Sequence, residues 1–348
     1  MSLTGFTPIA DYELPVITGS HNNFVMLLQY DDFNVGTVLD SIDDGGGNLR
    51  FSDDDGITQL PCEVVEFDKV GGVAQVHVLV PTAFTNKVIK IWGGNSGATQ
   101  PPVTDSFGRN ATHPYPTYNS YDGVDSSGVV DLNPNSTIQA TAKIGDGFDN
   151  NSSFQSASTI NDALNFGDAA SYTIGGWVNL SSSQNNWVGL FSIAGNSGTG
   201  QFSIQRNSGT SELRVYHNNS AMSLGSVFFD IANDNDNLIR VTWSGADVKL
   251  YINGVLINTV ALTLSPMAND SGFTARVAAS RGGVGASGVY SHWVLAKDTE
   301  LSEDYIATEY NNQSSIGAWG VLTPLTPPVD NFKAFWATHT NRLIPYIY

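Results

Sequence analysis

The stretch Arg240–Asn258, RVTWSGADVKLYINGVLIN, limits what this chain can fold into more than any other. Val241 and Trp243 alternate with Arg240, Thr242 and Ser244, the two-residue period of a strand buried on one face. Gly245-Ala246-Asp247 turns the chain, and Val248, Leu250 and Ile252 then alternate with Lys249, Tyr251 and Asn253. Asn253-Gly254 is the pair that most readily accepts the two positive φ values of a type I′ hairpin, and a further strand follows over Val255–Val260. Three short strands on tight turns make a β-meander, so the surrounding domain is expected to be antiparallel.

Composition extends that reading. The 348 residues suffice for two domains, each with its own core. The 35 glycines and the Asn-, Ser- and Thr-rich connections fit an all-β protein with many turns. A formal charge of −18 repels phosphate backbones and argues against nucleic acid as a partner. Cys62 is the sole cysteine, so no internal disulfide forms; it shares a strand face with Val64 and reads as a small buried hydrophobe. No run approaches the roughly 18 apolar residues of a membrane span. The opening MSLTGFTPIADYELPV lacks the basic and apolar segments of a signal peptide. A surface-type β-protein without that signal is expected to be made in a host cytoplasm and released by lysis, as a viral or phage structural protein is.

The meander also carries a resemblance. VTWSG followed by VKLYINGV resembles the core of the laminin-G-like branch of concanavalin A-like jelly rolls. Tyr172–Leu180, YTIGGWVNL, resembles its early core strand, and Leu301–Ser314, LSEDYIATEYNNQS, resembles the short helix and ending seen when such modules follow a particular N-terminal domain. Farther upstream, LRFSDDDGITQLPCEVVEFD, VHVLVP and IKIWGGNSGA resemble a family of unknown function that precedes jelly rolls in microbial surface and phage proteins. Together these imply two tandem antiparallel β-sandwiches: a small one over 1–95, a linker over 96–104 and a jelly roll over 105–319. Residues 320–348 form a Pro-rich spacer and an aromatic tail. Strands are expected at Leu14–Thr18, Phe24–Tyr30, Asn48–Ser52, Gln59–Phe67, Val73–Val80 and Lys87–Trp92, and at regular spacing through the jelly roll. The one helix expected follows Leu301, with Ser302 as N-cap.

The tail, NFKAFWATHTNRLIPYIY, gathers Phe332, Phe335, Trp336, Tyr346 and Tyr348 into a segment too short to bury them by itself. It is expected to anchor the chain to a neighbour.

Catalytic patterns are missing. Glycosidases need two carboxylates a few ångströms apart, and no Glu-x-Asp-x-Glu strand occurs; the nearest run, Glu63–Asp68, has the wrong spacing. Gly283–Gly288 matches Gly-x-Gly-x-x-Gly literally but leads into the β-type stretch VYSHWVL, where a dinucleotide site needs a helix. The histidines are scattered through the sequence without a zinc pattern. Calcium is the one cofactor the residues suggest, with Asp125, Asp234 and Asp236 as ligands; a solvated loop is the plain reading of each. Asp53-Asp54-Asp55-Gly56 reads as a hairpin turn. Trp177, Trp187, Trp243 and Trp293 read as core, which leaves glycan contacts to polar loop tips such as Gly195–Gly200 and Asn218–Met222.

The expected function is therefore that of a non-enzymatic phage virion protein on the particle surface, a capsid decoration or fibre component with weak glycan adhesion. Its partners would be other virion proteins, copies of itself and a host-surface glycan. The alternative is a carbohydrate-binding adhesin or receptor-binding protein, with a polysaccharide-degrading enzyme third.

Overall fold

The computed structural model describes residues 3–119, 122–132, 138–150, 157–159, 166, 169–180, 188–194, 202–206, 212–217, 220–225, 235–261, 274–278 and 285–325. Trp187, Asp234, the loop 195–200, Asn218 and the tail residues Phe332, Phe335, Trp336, Tyr346 and Tyr348 lie outside them. The described residues are nearly all β, with antiparallel pairing throughout the named strands.

The N-terminal unit contains β1 (Thr7–Glu13), β2 (Ser20–Gln29), β3 (Arg50–Asp53), β4 (Gln59–Leu60), β5 (Cys62–Asp68), β6 (Val73–Phe84) and β7 (Val88–Gly93). Strands β2, β6 and β5 form one sheet, and β1, β7, β3 and β4 lie in another. Alternate residues of both meet in one core, where Phe24, Met26 and Leu28 join Val76, Val78, Phe51, Ile89 and Ile91. Cys62 is buried there, and burial pushes its thiol up to about 12. The acidic run after β3 is a turn: Gly56 takes φ +67, and the Asp55 carboxylate accepts from the Ile57 and Thr58 N–H groups at 2.8 Å. The first strand falls at Thr7–Glu13 and not at the expected Leu14–Thr18, where Pro15 has no N–H to give a ladder.

The second unit begins with β8 (Thr117–Tyr118), β9 (Ile138–Thr141), β10 (Asp146–Asn150) and β11 (Ala157–Thr159). It continues with β12 (Tyr172–Leu180), β13 (Gly189–Ala194), β14 (Phe202–Arg206), β15 (Leu213–His217) and β16 (Ser220–Gly225). The meander supplies β17 (Asp236–Trp243), β18 (Asp247–Ile252) and β19 (Val255–Ala261), followed by β20 (Thr274–Val277) and β21 (Gly288–Lys297). One sheet runs β19-β18-β17-β12-β21-β10-β9 with β8 paired to β21, and the other runs β11-β20-β13-β14-β15-β16. Their inner faces interdigitate, as in the Tyr172–Phe202 edge contact at 5.0 Å, and Trp243 and Trp293 lie in this core. The expected hairpin is present: Asn253 and Gly254 take φ +52 and +78, and Ile252 pairs with Val255.

Two expectations are corrected. The alternation predicts a meander buried on one face, yet Arg240 and Thr242 are as inaccessible as Val241. The outer face of this sheet is covered by helix α1 (Glu303–Ser314) and by β2 of the N-terminal unit. The C-terminal segment also differs. The sequence places α1 within the jelly-roll unit and residues from 320 in a spacer. Instead Leu301, Tyr305, Ile306 and Trp319 complete the N-terminal core, with Phe24 5.3 Å from Tyr305 and 5.9 Å from Trp319. Asn312 of α1 clamps the backbone of Leu27 at both N–H and C=O, at 2.8 and 2.9 Å. Strand β22 (Val321–Pro324) then pairs with Ala10–Glu13 of β1. Ser302 caps the helix as expected, its side chain accepting from the Tyr305 N–H at 3.2 Å.

Candidate functional site

Where β17 begins, beside the β18–β19 hairpin, a cleft of about 410 Å³ opens. Trp177 of β12 and Tyr310 of α1 line it, stacked with ring centroids 5.8 Å apart. The Lys143 Nζ lies 5.8 Å from the Trp177 ring centre. Asn235, Asp236, Asn237 and Asn253 supply polar groups around these rings.

Local hydrogen bonds hold that polar rim. Asn253, in the left-handed conformation of the hairpin turn, accepts from the Leu238 N–H at 2.9 Å and donates its amide to Asn237 Oδ1 at 3.0 Å. Asn237 in turn donates to the Asn235 carbonyl at 3.0 Å. A side chain at Gly254 would meet Ala307 and Tyr310 of α1 at 3.1 Å, so glycine lets the hairpin approach the helix and close the cleft. Asp236 is exposed on the rim and accepts from Asn179 Nδ2 at 3.0 Å.

The sequence placed Trp177 in the core, and it is 2% exposed. It belongs, however, to a small cluster with Leu27, Ile144 and Leu238 outside the sandwich core, and its ring lines the cleft. Tyr310 is not marked by the sequence, because its role depends on what α1 packs against.

Of the candidate calcium ligands, Asp125 and Asp236 lie among the described residues. Asp125 is fully buried, and its two carboxylate oxygens accept from the N–H groups of Thr117, Ser127, Val129 and Val130 and from the Ser127 hydroxyl, at 2.7–2.9 Å. Five donors occupy the lone pairs that a cation would need. Asp125 therefore organises a buried turn, where the sequence reads a solvated loop. No cluster of three or more metal-ligating side chains is present among the described residues.

Beneath the cleft runs a buried polar chain that the sequence does not reveal. Trp177 Nε1 donates to Gln313 Oε1 at 2.6 Å, and Gln313 Nε2 lies 3.0 Å from His292 Nε2. His292 Nδ1 lies 2.6 Å from Asn119 Oδ1, and Asn119 Nδ2 donates to Glu63 Oε2 at 3.0 Å. Glu63 also contacts His113 Nε2 and the Ser126 hydroxyl, each at 2.8 Å. Burial pushes the Glu63 carboxyl up, but His113, Ser126 and Asn119 outweigh it and hold the group below the usual range. His77 stacks on His292 at 5.4 Å and meets His113 edge-on at 5.2 Å. Burial holds His77 well below the ordinary histidine value, and His292 below it too. Three histidines scattered through the sequence thus share one interior. Glu63, Asn119 and Ser126 at the far end line a second cleft of about 320 Å³, together with Arg109.

Residues 149–307 match the Laminin_G_3 family, described as the concanavalin A-like lectin/glucanases superfamily. The jelly roll of this chain is of that type. The matched span contains Trp177 and Asp236, whereas Lys143, Tyr310 and Gln313 lie outside it. No curated protein matches the chain in sequence. Among solved structures, the chain is similar to the binding domain of Paraclostridial Mosquitocidal Protein 1, at 15% identity and TM-score 0.44, covering 56% of this chain and 51% of that one. It is also similar to the receptor binding domain of botulinum neurotoxin C/D mosaic serotype, at 16% identity and TM-score 0.45, covering 57% and 50%. A third is Domain 4 of AbnA, a GH43 extracellular arabinanase from Geobacillus stearothermophilus, in complex with arabinotriose, at 14% identity and TM-score 0.43, covering 56% and 96%. The chain thus spans about half the length of the first two.

Proposed function

We propose that this chain is a non-enzymatic carbohydrate-binding protein displayed on the surface of a phage particle, with its sugar held in the Trp177–Tyr310 cleft. The observation that carries the reading is the make-up of that cleft: stacked aromatic rings bordered by three asparagines, one aspartate and one lysine. A sugar ring has an apolar C–H face and a rim of hydroxyls, which such a surface complements on both counts. Tyr310, half-buried, offers the open ring face, and Trp177 backs it. Asp236 is the only carboxylate among the described residues lining the cleft, whereas glycoside hydrolysis uses two. The match to a lectin and glucanase superfamily agrees with binding.

The particle part of the proposal rests on the tail, whose Phe332, Phe335, Trp336, Tyr346 and Tyr348 need a partner surface, and on the resemblance of the N-terminal unit. Other virion proteins and further copies of the chain are the partners it implies. A glycan array followed by titration of the best ligand tests the first part. Saturable binding is expected, weakened about tenfold or more in Tyr310→Ala through loss of one stacked ring. Binding unaffected by Tyr310→Ala, or no binding on the array, overturns the site. Density-gradient purification of particles tests the second part, which fails if the protein stays free of them.

A further inference from the structure

We propose that His292 is a positioning residue for Trp177, acting through Gln313, so that the cleft is set with His292 neutral and loosened when His292 takes up a proton. The effect on ligand binding rests on the sugar-site reading above; the coupling itself rests on the hydrogen bonds of the interior.

The donor roles in the chain are fixed from its two ends. At one end the Trp177 indole can only donate, so Gln313 receives it on Oε1 and turns its amide N–H toward His292. At the other end Asn119 gives its amide N–H groups to Glu63 Oε2 and to the Ser126 hydroxyl, at 3.0 and 3.2 Å, and turns Oδ1 toward His292. His292 must then donate from Nδ1 and accept at Nε2. That is the neutral imidazole, in one tautomer. Every donor points the same way, from the cleft wall to the buried carboxylate of Glu63.

A proton on Nε2 breaks this order. The imidazolium N–H would face the Gln313 amide N–H, donor against donor. Turning the Gln313 amide over relieves that clash but aims the same N–H groups at the Trp177 indole, which has no acceptor. Turned over, Gln313 leaves Trp177 without an acceptor; unturned, it is repelled by His292 through the same amide that holds the indole. Glu309 Oε1, 3.7 Å from His292 Nε2 and beyond hydrogen-bond reach, is the acceptor toward which a protonated ring can turn.

The surroundings set where this happens. Glu309 and Tyr305 face His292 from α1, Arg240 from β17, His77 from β6, and His113 and Tyr115 with Glu63 from the opposite side. Arg240 already holds Glu309 through two bonds, so a charged His292 would enter an interior that contains one cation and two further histidines. Burial places the transition on the acid side of the ordinary histidine value. A cavity of about 20 Å³ beside His113, His292 and Glu309 has room for one water to deliver the proton. The backbone supports a dedicated role as well. His292 takes φ +48 within β21, where the pairing with β12 slips between Gly175 and Trp177. A side chain other than glycine kept in the left-handed region at a bulge is the kind of strain found at working positions.

The test is the indole N–H signal of Trp177 in the full-length ¹⁵N-labelled protein, assigned with Trp177→Phe and followed from pH 7.5 to pH 4.5. The expected result is a displacement with one midpoint below 6.5, while the signal of Trp243 in the sandwich core stays fixed. His292→Asn, neutral and compatible with a left-handed backbone, should abolish that displacement. Should that variant not fold, Gln313→Leu, which cuts the relay between the two residues, should abolish it equally. A Trp177 signal that ignores pH, or one that keeps its midpoint in either variant, overturns the proposal. Sugar titration at both ends of the range reads the consequence: an affinity loss of about fivefold to tenfold on acidification, absent in His292→Asn. A Trp177 transition without any sugar binding would leave this coupling standing and reject the sugar site.

Discussion

Arg240 and Glu309 form a two-point ion pair across the boundary between the jelly-roll sheet and the C-terminal helix. Nε meets Oε2 at 3.0 Å and Nη2 meets Oε1 at 2.7 Å, with neither side chain more than 7% exposed. Burial alone would raise the Glu309 carboxyl, but Arg240, with His292 beside it, overrides that and holds the group at about 2. Removing one partner leaves the other charge buried and unpaired, which costs about 3–5 kcal/mol, whereas replacing both with apolar groups removes the penalty with the pair. Glu309→Gln is therefore expected to be strongly destabilising, and Arg240→Met with Glu309→Leu much less so. Urea unfolding of the two single variants and the double variant measures this; additive losses would show that the pair is not coupled.

The acid limb of stability should have two steps. His77 and His292 have values below 6.5 when folded, so the unfolded chain binds protons first as pH falls. Their contribution is present above 6.5 and is lost progressively below it. Glu309 follows: its folded value of about 2 against 4.5 unfolded gives stability that is present above 4.5 and lost as pH falls toward 2. Thermal melts at pH 7.5, 5.5 and 4.0 should show a falling Tm over both intervals. A flat Tm from 7.5 to 5.5 would contradict the first step.

How far the sequence foretold this architecture depends on the range of the interactions. The meander, the Asn253-Gly254 hairpin, the Asp53–Gly56 turn and the Ser302 cap rest on neighbours within a few residues and were legible. Strands β9, β10 and β16 are short and polar, and their places are set by the strands beside them, so local pattern does not mark them. The outer face of β17 misled for a related reason. Arg240 and Thr242 look solvent-facing by alternation, and only the return of α1 from 69 residues away along the chain buries Arg240 against Glu309. The cleft shows the same limit: Trp177 and Tyr310 are separated by an entire sandwich in sequence. Histidines 77, 113 and 292 carry no shared motif, because strands from two units bring them together.

Asp125 should matter for folding and not for metal. Asp125→Ala strips a buried turn of a carboxylate that satisfies four backbone N–H groups and one hydroxyl. Each stranded buried donor costs about 1–3 kcal/mol, so a loss of several kcal/mol is expected even after partial rearrangement. Calcium addition or chelation should move the Tm of neither the wild type nor any folded fraction of the variant through this residue. A calcium-dependent rise in Tm that Asp125→Asn removes would restore it as a ligand.

Truncation separates the strand at the C-terminal end from the tail beyond it. Ending the chain after Leu325 keeps β22 on β1, including the bond from the Leu325 N–H to the Ile9 carbonyl at 2.8 Å. Ending it after Gly320 removes that pairing and exposes the edge of the N-terminal sheet, which Tyr12 lines with a hydroxyl that accepts from the Gly320 N–H at 3.1 Å. The shorter chain should lose about 1–3 kcal/mol, a few net hydrogen bonds, and show faster amide exchange in β1. The longer one should melt like the full chain but fail to associate with particles, since it lacks Phe332, Phe335, Trp336, Tyr346 and Tyr348. Equal melting of the two truncations would deny β22 a structural part, and undiminished particle association of the longer one would deny the tail its anchoring part.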